Sequence, residues 1–207
     1  MTGVDIHCVS LEVGAGRLAA LERLLSPEEQ ARAARFRFLG DRRHFVACRG
    51  ALREILAGVT RLDPAQLKFS YNPFGKPALM DSDVSFNVSH SNGLALYAVA
   101  RSREVGVDVE SIDPKFADQQ IPESLFTPGE VATLRGLPVH LQTEAFFLCW
   151  ARKEAYVKAR GIGLSLPLSS FDVTLTPGEP AAFLRGAEGW LIESIEPAPG
   201  YAAAVVG

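Results

Sequence analysis

The chain has 207 residues, 47% of them hydrophobic and 22% charged, with a formal net charge of −3. That length holds one domain or two small ones, and the charge offers no global field for recruiting nucleic acid. Its three cysteines, Cys8, Cys48 and Cys149, are spaced for neither a metal pair nor a disulfide framework, so a reducing, cytoplasmic setting is expected.

Val4, Ile6 and Cys8 alternate with Asp5 and His7 and predict an opening strand. Asp5 and Glu12 interrupt the start of the chain, so no signal peptide is expected. Ser26-Pro27-Glu28-Glu29 reads as a capped helix start with Glu29 closing a capping box. Phe45, Leu52, Ile55 and Leu56 then share a helical stripe, and Gly58 predicts its stop. From Leu67 to Glu110 short extended runs alternate with turns at Asn72-Pro73-Phe74-Gly75 and Ser91-Asn92-Gly93, the second of hairpin type. The longest stretch free of Lys, Arg, Asp and Glu, Val84 to Ala100, carries Asn87, Ser89, His90, Ser91 and Asn92, which excludes a membrane span there.

The same programme then recurs. Thr127-Pro128-Gly129-Glu130 is a second capped start, with Glu154 as far beyond it as Arg53 lies beyond Ser26. Extended runs follow at Ser170–Leu175, Ala182–Arg185, Trp190–Ile195 and Ala202–Val206. These repeats predict a mixed α+β (α/β) fold, a pseudo-dimer of two similar α/β halves, residues 1–103 and 104–207, with the active site in the cleft between them.

Charge is unevenly placed. Ala31 to Arg53 holds seven arginines and one acid, whereas Glu104 to Glu130 holds seven acids, Asp118 among them, and one base. Two solvated faces fit this pattern, and so do a site for an anion and a site for a cation. On a strand Asp108 and Glu110 share one face; on a helix Glu154 and Lys158 share another. Separately these are a polar strand face and an exposed ion pair worth about 0.3–0.5 kcal/mol. Brought together they make a site for a hard divalent cation beside a phosphate. Trp150, one turn before Glu154, argues that this helix face is partly buried. His90 and Ser89, at a strand end, fit either a satisfied pair or phosphate donors. Lys76 in Gly75-Lys76-Pro77 fits a turn lysine or a phosphate cap, and Arg32 and Arg49 suit phosphate oxygens if they face the cleft.

Phe86-Asn87-Val88-Ser89-His90-Ser91, Gly106-Val107-Asp108-Val109-Glu110 and Trp150-Ala151-Arg152-Lys153-Glu154 with Lys158, in this order, resemble the 4′-phosphopantetheinyl transferases of the larger, surfactin-synthetase type. Gly161 to Leu168 is similar to them as well. The resemblance implies coenzyme A as co-substrate and transfer of its phosphopantetheine arm to a serine of an apo acyl or peptidyl carrier protein, releasing adenosine 3′,5′-bisphosphate. It implies Mg²⁺, or Mn²⁺, on Asp108, Glu110 and Glu154. Glu154, Lys158 and Asp108 would be catalytic; Arg32, Arg49, Lys76, Pro77, Ser89, His90 and Lys158 would bind coenzyme A. It leaves open which of Arg42, Arg43 and Arg49 meets the 3′-phosphate, and would place carrier contacts between Ile112 and Gln142. A catalytically inactive coenzyme A- or nucleotide-binding protein on the same fold, and a metal-dependent phosphodiesterase, are the other readings of these residues.

Overall fold

The computed structural model describes residues 1–117 and 121–207; Asp118, counted above in the acidic block, and part of the Ile112–Gln142 stretch lie outside them. Its first elements are β1 (Val4–Ser10), α1 (Ala15–Glu22), α2 (Pro27–Ala33), α3 (Leu39–Thr60), β2 (Phe69–Tyr71), β3 (Pro77–Leu79), β4 (Val84–Ser91) and β5 (Leu94–Arg101). Then come β6 (Gly106–Ser111), α4 (Pro114–Ala117), α5 (Ile121–Leu125), α6 (Pro128–Gly136), α7 (Val139–Arg160), β7 (Asp172–Val173), β8 (Phe183–Arg185), β9 (Ile192–Ile195) and β10 (Tyr201–Val206). The fold is mixed α/β.

One strand plan occurs twice. A sheet ordered β1-β5-β4 is matched by one ordered β6-β10-β9, both antiparallel, and each is accompanied by a two-stranded ribbon, β2-β3 or β7-β8. Each capping box forms as expected, on Ser26 and Glu29 and on Thr127 and Glu130. Each opens a short helix, and a separate helix of 22 residues follows. Gly58 does not stop α3, which runs on to Thr60 and ends with Arg61 in the left-handed conformation at φ 60°. The cost of one interior glycine, about 1 kcal/mol, is outweighed by packing along the helix. α1 had no strong sequence signal; Leu21 buries it against α3. Asn92 and Gly93 both take positive φ and close the β4–β5 hairpin as expected.

The long helices correspond one residue away from the spacing anticipated. Glu29 pairs with Arg53 in α3, and Glu130 pairs with Lys153 in α7. Lys153, rather than Glu154, is therefore the counterpart of Arg53, and Glu154 matches Glu54, which pairs with Arg17 at the surface.

The two sheets stack through an apolar layer. Leu96, Ala98 and Ala100 of β5 meet Val107 and Val109 of β6 and Ala203 and Val205 of β10. The opposite face of β5, with Ala95, Tyr97 and Val99, packs on the α1–α3 side. Strand alternation thus turns Gly106, Asp108 and Glu110 away from the apolar layer. Gly106 is where β6 touches α7. A Cβ at this position would fall inside the contact distance of the Ala155 carbonyl and the Ala159 backbone. Only glycine lets the strand lie this close, and that approach sets Asp108 and Glu110 beside the helix. Gly106→Ala is expected to lower the unfolding free energy by about 1–3 kcal/mol, measured by urea denaturation followed by circular dichroism.

Candidate active site

Asp108, Ser89 and Lys158 form a closed triangle where β4, β6 and α7 meet. Asp108 Oδ1 accepts hydrogen bonds from Lys158 Nζ at 2.5 Å and from Ser89 Oγ at 2.8 Å, and Lys158 Nζ also donates to Ser89 Oγ at 2.8 Å. The Asp108 residue is 1% exposed, and its other oxygen, Oδ2, is buried with no hydrogen-bond partner among the described residues. Glu110, two residues on, accepts from Ser91 Oγ at 3.3 Å. Burial pushes the Glu110 carboxyl up to about 7, aided by the Asp108 charge and opposed by Lys158, Ser91 and Trp150. Burial, then the Asp108 charge, raises Glu154 as well, against Lys158. Asp108 thus raises both glutamates, and Lys158 opposes it at each.

This charge imbalance suits a hard cation. An unpartnered, buried Asp108 oxygen is an acceptor awaiting a donor or a metal, and hard divalent cations take carboxylate oxygens. Among the described residues no three such side chains are already gathered at metal-ligand spacing. Mg²⁺ takes carboxylate oxygens alongside water and phosphate oxygens, so Asp108 and the neighbouring glutamates fit as part of its shell.

On the other side of β4 opens a cleft of about 540 Å³. His90, with a side chain pointing opposite to Ser89 and Ser91, lines it together with Arg32, His44, Phe45, Arg49 and Pro77. The guanidinium of Arg32 lies 5.2 Å over the Phe45 ring. Burial lowers the pKa of His90, and the charges of Lys158 and His44 lower it further. Among the described residues Asp41 is the one carboxylate in the lining.

Several expected contacts are placed elsewhere. The ammonium of Lys76 donates to Glu104 Oε2 at 2.8 Å, the Val105 carbonyl at 3.3 Å and the Ala159 carbonyl at 2.8 Å, which occupies all three of its protons. The last carbonyls of α7 attract a cation to this helix end, so the lysine turns from the cleft while Pro77 lines it. The Ser89 hydroxyl is engaged by Asp108 and Lys158, away from the cleft side of β4. Arg42 pairs with Glu22 and Arg43 donates to the Val13 carbonyl; of the three arginines left open, Arg49 lines the cleft. Phe45, on the α3 stripe, packs against the core and also forms cleft wall. His44 and Phe36 were not singled out, although their positions on or before the α3 stripe carried the signal: one helical face supplies Asp41, His44, Phe45, Cys48, Arg49 and Leu52.

Comparison with known proteins matches both parts of the chain. A sequence profile described as 4′-phosphopantetheinyl transferase superfamily covers residues 104–206. Another, described as 4′-phosphopantetheinyl transferase, N-terminal, covers residues 15–102. Over 206 residues the chain is 40% identical to the 4′-phosphopantetheinyl transferase HetI of Nostoc sp., spanning 98% of this chain and 86% of HetI. It is 32% identical over 152 residues to the 4′-phosphopantetheinyl transferase Sfp of Bacillus subtilis, spanning 73% of this chain and 66% of Sfp. A holo-(acyl-carrier-protein) synthase from Bacillus anthracis, solved in complex with CoA (3′,5′-ADP), aligns at a TM-score of 0.43 and 24% identity over 50% of this chain and 92% of its own. With 40% identity sustained along nearly its whole length and both profiles matched in order, the chain belongs to the 4′-phosphopantetheinyl transferases, of the Sfp-like type.

Proposed function

We propose that this protein moves the 4′-phosphopantetheine arm of coenzyme A onto a serine hydroxyl of an apo acyl or peptidyl carrier protein and releases adenosine 3′,5′-bisphosphate. The observation carrying the reading is the buried, unpartnered Asp108 Oδ2 among three carboxylates and one ammonium, next to a cationic cleft. Residues 1–103 would supply the cleft wall and residues 104–207 the carboxylates. Coenzyme A and the carrier are the partners; neither nucleic acid nor a membrane enters, and among the described residues no helix is long and apolar enough to cross one. The cytoplasm is the proposed setting.

Mg²⁺ is the proposed ion, Mn²⁺ an acceptable substitute, with Asp108, Glu110 and Glu154 to hold it. When bound, it supplies positive charge against which the pyrophosphate can be approached by a nucleophile. The chain's own residues do the rest. Arg32, Arg49 and His90 hold the nucleotide end of coenzyme A, with the Pro77 ring against it; Lys76 and Ser89 support this wall from behind. Glu154 takes the proton from the carrier serine, for which a carboxyl with a raised pKa is the better base near neutral pH. The serine oxygen bonds to the phosphorus that carries the pantetheine, and the bond from that phosphorus to the bridging oxygen breaks. Charge then grows on the departing adenosine phosphate, where Lys158 stands to meet it. Positioning and charge stabilisation suffice for this transfer, and no activated cysteine is needed.

Three outcomes are expected. Intact-mass measurement of several apo carriers incubated with the protein, coenzyme A and Mg²⁺ should show a gain of one phosphopantetheine, lost when the divalent ion is chelated. Glu154→Gln should lower kcat by at least about 10²-fold while leaving the thermal melt in place; an undiminished rate would remove Glu154 from the chemistry. Because Glu110 binds its proton up to about pH 7, and a metal requires the carboxylate, Mg²⁺ affinity should fall as pH drops through 7. Calorimetric titration between pH ~6 and pH ~8 checks this, and Glu110→Gln should flatten the dependence.

A further inference from the structure

Each half of the chain carries the same buried lock, and the difference between the two copies is informative. In the second half, the capping-box carboxylate of Glu130 meets one cation. Lys153 Nζ lies 2.8 Å from Glu130 Oε1 and 4.4 Å over the Phe171 ring, and it is wholly buried. One positive charge cancels one negative charge. In the first half Glu29 plays the part of Glu130, Arg53 that of Lys153 and Phe69 that of Phe171. Arg53 Nε donates to Glu29 Oε2 at 2.7 Å, its NH1 reaches the carbonyls of Pro64 and Leu67, and 1% of the residue is exposed. Here, however, a second guanidinium joins. Arg49 Nε donates to the other carboxylate oxygen, Glu29 Oε1, at 2.5 Å. Its Cζ sits 4.0 Å from the Phe69 centroid, and its Nη2 donates to the Tyr71 hydroxyl at 3.1 Å.

Arg49 lies four residues before Arg53; the position four residues before Lys153 is Cys149, buried and uncharged. The first half therefore holds one more cation than its carboxylate neutralises. Arg53 already balances Glu29, so the charge of Arg49 is uncompensated within the lock. Arg49 is also the member that lines the cleft, and among the described residues its NH1 has no protein partner. A guanidinium fixed at Nε, stacked on a ring and tethered at one terminal nitrogen has its remaining donors aimed in advance, which suits the oxygens of a phosphate.

We infer that Glu29 is a positioning residue for coenzyme A recognition: balanced by buried Arg53, its carboxylate holds Arg49 at the cleft wall, where the guanidinium reads the phosphate monoester on the ribose of the nucleotide. The inference rests on the transferase reading above and adds to it how the phosphate-binding charge is set in place. Glu29 itself touches no substrate. Its effect reaches the ligand through Arg49, so it appears in binding of the phosphorylated ribose and not in the transfer step.

The test compares coenzyme A with 3′-dephospho-coenzyme A as donors, in steady-state transfer to one apo carrier. Glu29→Gln keeps the acceptor that caps the Ser26 N–H and removes the charge. It is expected to raise KM for coenzyme A about tenfold, with kcat and the KM for the dephospho donor changed by no more than about twofold. In an Arg49→Ala background the same change should add nothing, because the two residues act as one unit. If Glu29→Gln does not fold, Glu29→Gln with Arg53→Met removes the buried pair together and is expected to give the same loss of discrimination. Equal losses on both donors, or losses that add to those of Arg49→Ala, would overturn the inference while wild-type transfer leaves the functional reading intact. Failure of the unaltered protein to transfer from coenzyme A would overturn both.

Discussion

One ammonium among three carboxylates is the constraint around which this protein is arranged. Lys158 satisfies a single oxygen of Asp108 and lowers the pKa values of Glu110 and Glu154 without matching their charge. Deprotonated, the group carries more negative charge than its surroundings compensate. That deficit persists because backbone packing enforces it. Gly106 brings β6 against α7, alternation along β6 aims both acids at the helix, and one helical turn sets Glu154 beneath Lys158.

The repeated strand plan explains how a chain of this length brings unlike side chains to one seam. Two copies of one arrangement stack through a shared apolar layer, and side chains at the seam diverge in chemistry. Where β4 offers Asn87, Ser89 and Ser91 to the neighbouring strand, β6 answers with the Val107 N–H, Asp108 and Glu110. The helix of the first copy presents Arg49 and Phe45 to the cleft, and the helix of the second presents Trp150, Glu154 and Lys158 to β6. Duplicated architecture thus holds unlike charges on the two sides of β4, and the structural lock of one copy, Glu130 with Lys153, becomes in the other a lock with a cation to spare. The β2–β3 ribbon ties the copies further: Lys76 and Asn72 both bond the C-terminal end of α7.

Much of this was legible along the chain because the signals are local. Capping boxes at Ser26 and Thr127, the Asn92-Gly93 turn and the alternation through Val107, Asp108, Val109 and Glu110 depend on neighbours a few residues apart, and each forms where its pattern lies. What local pattern could not carry was competition between long-range partners. Lys76 looked like a phosphate ligand until the α7 carbonyls and Glu104 claimed its protons. Ser89 looked like another until Asp108 and Lys158 closed on it. Gly58 looked like a stop until packing carried the helix past it. Phe45 fits a core stripe and a cleft wall equally well by periodicity alone.

The amino-acid sequence by itself determined the opening strand, the two caps, the β4–β5 turn and the identity of the charged residues at the site, since propensity, capping and side-chain alternation are properties of short segments. Only the tertiary structure decided which cations remain available for a ligand. Arg49 faces the cleft while Arg42, Arg43, Arg53 and Lys76 are engaged elsewhere. A charge becomes available or neutralised through partners distant in the chain, and burial sets the strength of each such pairing.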